Sequence, residues 1–130
     1  MDTPKDISSL KSRTSSKWLG HDNILRLRFY KISNLDIADA MTDLGVIREI
    51  ANGKVYPIIV DIRELIRMTP KTKQYLDQRK EYPCINKAAF LVKQRVFNKL
   101  LGRLPQKIQV PGIESKCFTH EEDAINWLQS

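Results

Sequence analysis

The sequence predicts a single-domain α/β fold: a mixed, mostly parallel sheet of about five strands with about four helices, in the order ββαβαβαβα. Three observations carry this. Two strand-like runs, 15–19 and 24–30, flank the turn-forming group Gly20-His21-Asp22-Asn23 and open the domain as an antiparallel hairpin. Beyond them, segments with helical spacing alternate with short apolar runs, the pattern of parallel strands joined by right-handed crossovers. One such run, Ile58-Ile59-Val60, contains no polar residue, as expected where helices cover both faces of a sheet.

In the second arm of the hairpin, Ile24, Leu25, Leu27, Phe29 and Tyr30 supply apolar weight. Arg26, Arg28 and Lys31 alternate against them, so one face is expected to meet the core and the other water. Ser33 or Asn34 is placed to cap the first helix, whose Ile37, Met41, Leu44, Ile47 and Ile50 recur at helical spacing. Asp36 and Asp39 suit the positive end of its dipole, and Asn52-Gly53 ends it with a left-handed turn.

The segment 55–60 reads as the central strand and is followed by Asp61. Thr69 is an N-cap with Pro70 at the first helical position, since the threonine oxygen satisfies an orphan amide and proline has none to lose. The helix from Pro70 to Tyr82 is polar, with Tyr75, Leu76 and Tyr82 as anchors. The segment 85–92 is a further buried strand, and 95–104 a helix with Val96, Phe97, Leu100, Leu101 and Leu104 in an apolar stripe. Cys117-Phe118 is a short last strand. Thr119-His120-Glu121-Glu122 reads as a capping box opening a helix with Ala124, Ile125 and Leu128 inward.

A chain of 130 residues is long enough for one core and too short for two, so residues 15–130 are assigned to one domain and 1–14 to a flexible lead-in. No apolar run approaches the roughly 18 residues of a spanning helix. The start MDTPKDISSLKSRTSSK lacks the apolar stretch of a signal peptide, and a cytoplasmic protein is expected. Cys84 and Cys117 have no CxxC or CxxH neighbour and read as small buried apolar residues.

Chemistry-bearing patterns are sparse. His21 falls in a turn and His120 in the capping segment, with no nucleophile and base pair legible around them. There is no GxGxxG and no phosphate loop, and Glu121, Glu122 and Asp123 need no purpose beyond the helix dipole. Trp127 reads as packing. No catalytic residue, metal ligand or cofactor is assigned, and a non-enzymatic module is expected.

Charge is unevenly placed on a formal balance of +7: between Tyr82 and Ile113 lie Lys87, Lys93, Arg95, Lys99, Arg103 and Lys107 with no acidic residue. Arg95, Lys99 and Arg103, four apart, form one cationic helix edge, and with Lys93 they are the candidate anionic-ligand residues. Phospholipid headgroups, an acidic protein and nucleic acid are the partners such an edge could meet, beside the plainer reading of a solvated face. Nucleic acid is the weakest, because no aromatics interleave the basic residues.

The segments YPIIVDIRELIRMTP (56–70), KAAFLV (87–92) and CFTHEEDAINWL (117–128) give a resemblance over nearly the whole chain. It is similar to small uncharacterised bacterial proteins with the anti-sigma-factor-antagonist-like fold, the STAS domain, also compared with CRAL-TRIO lipid-transfer domains. In regulatory STAS domains a strand-ending aspartate precedes a loop and a serine or threonine at the next helix start, which a partner kinase phosphorylates. Asp61 and Thr69 occupy comparable slots, although Met68-Thr69-Pro70-Lys71 stands where those antagonists have an Asp-Ser pair and a small or glycine-rich helix start. The resemblance implies a STAS-like fold and a regulatory, protein-binding role, with the CRAL-TRIO comparison implying lipid or anionic-ligand binding as the alternative. Asp61, Arg63, Arg67, Thr69 and Lys71 are the candidate recognition residues, and an unidentified protein partner is expected. Whether the chain pairs with itself stays open.

Overall fold

The hairpin closes as its turn residues dictate. Strands β2 (Ser15–Leu19) and β3 (Leu25–Phe29) pair antiparallel, Ser15 opposite Phe29 and Leu19 opposite Leu25. Gly20 N–H donates to the Ile24 carbonyl and Asn23 N–H to the Gly20 carbonyl, each at 3.0 Å. Asn23 sits at φ 62°, in the left-handed region that asparagine tolerates. A Cβ at Gly20 would run into Nη1 of Arg26 and lie 2.6 Å from Oδ1 of Asp22. Those two groups are locked to each other, so Gly20→Ala should cost about 1–3 kcal/mol by overpacking. A urea-unfolding midpoint equal to wild type would refute this.

The structure, a computed structural model, describes residues 9–11, 13–31, 34–65, 67, 69–78, 83–100 and 112–130. Its remaining elements are β1 (Ser9–Lys11), α1 (Ile37–Ala51), β4 (Tyr56–Asp61), α2 (Pro70–Gln78), β5 (Ile85–Leu91), α3 (Gln94–Leu100), β6 (Glu114–Phe118) and α4 (Glu121–Leu128). The sheet runs in sequence order from β1 to β6, antiparallel from β1 to β3 and parallel from β3 to β6. The strands anticipated from the sequence are β2 to β6. The extra one, β1, is an edge of three residues paired with β2, so part of the expected lead-in is ordered by sheet pairing. The last strand also starts earlier, at Glu114, because pairing with β5 extends it beyond the apolar Cys117-Phe118.

Parallel crossovers between neighbouring strands put their helices on a common face. Leu25, Leu27, Phe29, Ile58, Ala88 and Phe90 pack there with Ile47, Ile50 and Ala51 of α1 and with Phe97 and Leu100 of α3, and α2 packs beside α1. The alternate residues Ile59, Ala89 and Leu91 turn to the other face and are covered by Ala124 and Leu128 of α4. Period-two alternation in β4 and β5 therefore feeds two apolar clusters, which is why the runs Ile58-Ile59-Val60 and Ala88 to Leu91 carry no polar residue. Pro57 has no N–H for the ladder, and the register shifts between Tyr56 and Pro57, where Pro57 pairs with Lys87.

Four expectations about element ends and faces are corrected. The N-cap of α1 is Asp36, not Asn34, and its carboxylate accepts from the Asp39 N–H at 2.9 Å in a reciprocal box. Ser33 lies outside the described residues. The buried face of α1 runs through Ala40, Asp43, Ile47 and Ile50, leaving Met41 53% and Ile37 37% exposed. The helix is turned that way because Asp43 meets Lys17 of β2 and the small Ala40 permits close approach. On α4 the cap position falls to His120 with no side-chain cap, because the Thr119 hydroxyl bonds His120 Nδ1 at 3.0 Å rather than the helix. On β3, Arg26 is buried instead of solvated, covered by the first turn of α4.

Other expectations hold. Asn52 caps α1 at φ 51° and donates to the Arg48 carbonyl, with Gly53 following at φ 80°. Cys117 is buried as expected, whereas Cys84 is only half-buried, and neither is in a disulfide. Trp127 packs against Phe118 with ring centroids 5.6 Å apart, and the Lys87 ammonium sits 4.2 Å from its ring centre while donating to the Trp127 carbonyl. Residues 101–104 and 79–82, taken as the ends of two helices, lie outside the described residues.

Candidate functional site

Asp61 ends β4 at the carboxyl edge of the parallel strands, where open α/β sheets bind their ligands. Its Oδ1 accepts from the Arg63 backbone N–H at 3.1 Å and from Arg63 Nε at 2.9 Å, and its Oδ2 from Arg63 Nη2 at 2.6 Å. Arg28 Nε, on the neighbouring strand and opposite Asp61 in register, lies 3.3 Å from Oδ2. The carboxylate thus does what a strand-ending aspartate usually does, fixing the next loop by accepting its amide. Burial pushes the Asp61 carboxyl up, but the hydrogen bonds from Arg63 and the charges of Arg63 and Arg28 outweigh it and hold the group below the ordinary carboxylate range.

The network extends across the sheet. Arg28 Nη2 reaches Glu121 of α4 at 3.6 Å, and Arg26 Nε donates to the same carboxylate at 3.0 Å. Arg26 also grips Asp22 of the hairpin turn with two bonds of 2.9 Å. The bidentate bond to Asp22 raises the Arg26 guanidinium against the opposing effect of burial, with Glu121 adding to it, and the Asp22 carboxyl is correspondingly lowered. Arg28 lies 5.2 Å from the ring centre of Trp18. Three arginines and three carboxylates therefore fasten the turn, β3, the end of β4 and the start of α4 to one another. An Asp61 held ionised is a poor proton acceptor near neutrality, and the network is built as a fastening.

Thr69 is the N-cap foreseen: its Oγ1 accepts from the Thr72 N–H at 3.1 Å and shares a 2.7 Å hydrogen bond with the Thr72 hydroxyl. Thr72 is fully buried and donates to the Leu35 carbonyl at 3.0 Å. Thr69 N–H donates to that same carbonyl at 3.0 Å, and Leu35 N–H to the Arg67 carbonyl at 2.8 Å. Leu35, itself buried, thus joins the start of α2 to the residues just before α1. Ile37 and Met41 are exposed on the first turns of α1, and Arg67 and Lys71 are exposed around the start of α2. The structure brings Asp61 and Arg63 together and places Arg67, Thr69 and Lys71 around this second junction. Lys93, Arg95 and Lys99 are exposed on and just before α3, and Arg103 lies outside the described residues.

Arg26, Arg28, Asp22, Glu121 and the Leu35 junction escape a reading of local periodicity, because each acts on a partner distant in the chain or on another element. The alternation in Arg26-Leu27-Arg28 is visible in the chain; which polar face another helix covers is not. Among the described residues no three His, Cys, Asp or Glu converge on a metal position, and no helix is long and apolar enough to cross a membrane.

The architecture is that of a SpoIIAA-like, STAS-like α/β fold. A crystal structure of an uncharacterized protein of the DUF3478 family from Shewanella loihica PV-4, with a SpoIIAA-like fold, is similar over 92% of this chain and 98% of that chain, with a TM-score of 0.55. Identity to it is 15%, so the likeness is one of fold. The chain belongs to the family described as Domain of unknown function (DUF7793), whose model matches residues 17–130. No curated protein matches it.

Proposed function

We propose that this chain is a non-enzymatic, cytoplasmic STAS-like interaction module that binds a protein through the joined starts of α1 and α2. The observation that carries the reading is the Leu35 junction, which joins the start of α1, where Ile37 and Met41 are exposed, to the start of α2, where Arg67 and Lys71 are exposed. Methionine and arginine are enriched at protein interfaces, and an apolar anchor with a charged rim is their usual anatomy. Asp61 and Arg63 support the surface from behind by fixing the loop that leads to it.

The switch element of this reading falls on Thr69, next to Lys71. A phosphoryl group there would meet the positive end of the α2 dipole, but the Thr69 hydroxyl is already engaged by the Thr72 N–H and hydroxyl. Capping accounts for Thr69 without a switch. The lipid alternative has weaker support, because Phe97 and Leu100, the apolar residues of α3 that would enter a lipid layer, pack against the core.

Capture of interacting proteins from lysate by the tagged full chain tests the proposal. A saturable partner should be retained by wild type and lost about tenfold by Met41→Glu, with the unfolding midpoint unchanged. No enriched protein, or equal capture by Met41→Glu, would sink the reading. Capture altered by Thr69→Glu at unchanged stability would assign the switch; a change only in step with stability would leave Thr69 a cap.

A further inference from the structure

We propose that the partner presents an acidic polypeptide segment, which lies along a cationic rim made by Arg67 and Lys71 at the start of α2 and by Lys93, Arg95 and Lys99 at α3. The inference rests on the interaction-module reading and names the chemistry of the partner.

Because β4 and β5 are parallel neighbours, the chain leaves both at the same edge of the sheet, and the starts of α2 and α3 share that edge. All five cations are exposed. Five described carboxylates are engaged with other cations: Asp22 and Glu121 with Arg26, Asp61 with Arg63 and Arg28, Asp39 with Arg13, and Asp43 with Lys17, while Glu64 is an exposed acid of the loop that leads to Arg67. Among the described residues none of these ion pairs includes a rim cation. Five cations are therefore exposed at this edge, where they would steer and retain a chain of opposite sign.

The surroundings of the rim select among anionic partners. A lipid surface is best held by a helix that turns an apolar stripe outward, whereas α3 turns Phe97 and Leu100 inward and leaves only Val96, 37% exposed, among its described apolar residues. Single-stranded nucleic acid is held by aromatic platforms, and Trp18, the ring met by Arg28, belongs to the opposite face of the sheet. An acidic polypeptide needs neither. Its carboxylates would meet the guanidinium and ammonium groups in solvent, and an apolar residue beside them would reach Met41.

The test is fluorescence anisotropy of the full chain with a labelled peptide of alternating Glu and Leu, alongside vesicles of phosphatidylcholine and phosphatidylserine and a labelled single-stranded DNA. Wild type should bind the peptide more tightly than it binds either alternative, and added salt should weaken that binding. The combined Lys93→Glu, Arg95→Glu and Lys99→Glu variant should lose affinity about tenfold. Since reversal could disturb α3, Lys93→Gln with Lys99→Gln is measured too and should show a smaller loss in the same direction. Unchanged peptide binding in both variants, or tighter binding of vesicles or DNA by wild type, would overturn the proposal. If Met41→Glu abolishes capture of a lysate protein while the rim variants retain it, the acidic rim falls and the interaction module stands. If rim variants lose peptide but no lysate protein is captured, the interaction module falls and the assignment of its partner falls with it.

Discussion

Replacing Asp43 with alanine is expected to destabilise the fold by about 3–5 kcal/mol, because it strips a buried ammonium of its carboxylate. Lys17 Nζ lies 3.0 Å from Asp43 Oδ1, with side chains 0% and 2% exposed. Asp43 also accepts from the hydroxyls of Thr14 and Ser15 at 2.9 and 3.1 Å, and Lys17 donates to the Ser15 carbonyl at 3.2 Å. The charges are therefore embedded in a polar cluster between β2 and α1. Breaking one partner is costly, whereas replacing both with matched apolar residues need not be. Lys17→Met with Asp43→Leu should recover most of the loss. Urea unfolding of the two single variants and the double variant measures this as a cycle. A single-variant loss below about 1 kcal/mol would show that the pair is not a significant fastening of α1.

Asp61→Asn is the second large effect, with an expected loss of about 2 kcal/mol at neutral pH, set by charge-assisted hydrogen bonds of which the Arg28 and Arg63 partners remain part-exposed. Its pH dependence gives the sharper test. The folded-state Asp61 carboxyl titrates below its ordinary value of 3.8, so its contribution is fully present above that value and is lost as pH falls through the folded one. The stability gap between wild type and Asp61→Asn should accordingly stay constant around neutrality and close in acid below about pH 4. Urea midpoints of both proteins across that range decide it. A gap that persists unchanged in acid would mean that the ionised carboxylate is not what holds the loop.

The elements legible in the chain are those set by local chemistry. Gly20 to Asn23 close a hairpin, Asn52-Gly53 stops a helix and Thr69-Pro70 starts one because turn and cap geometry depend on a few adjacent residues. The apolar end of β4 announced helices on both faces because the two sides of a strand alternate residue by residue. The candidate site was legible in part: Asp61 fixing its loop and Thr69 capping α2 follow from neighbours in sequence, whereas the ion pair of Asp61 with Arg63 emerged from the structure.

What local pattern could not supply was which of two adequate faces or caps is used. Asp36 displaced Asn34 as the cap of α1, and Met41 turned outward although its spacing suited the core. Arg26 went inward although it alternates as a solvent residue would. For the two faces the decision was made by a group remote in sequence: Lys17 drawing Asp43 inward, and Glu121 of α4 closing over Arg26. By itself the sequence determined the STAS-like α/β class, the order of its elements from β2 onward and its excess of positive charge. Tertiary structure alone decided which charges pair with one another and which apolar side chains stay exposed. The physical reason is that buried charges must find partners when the fold closes, and that requirement overrides helical and strand periodicity wherever the two conflict.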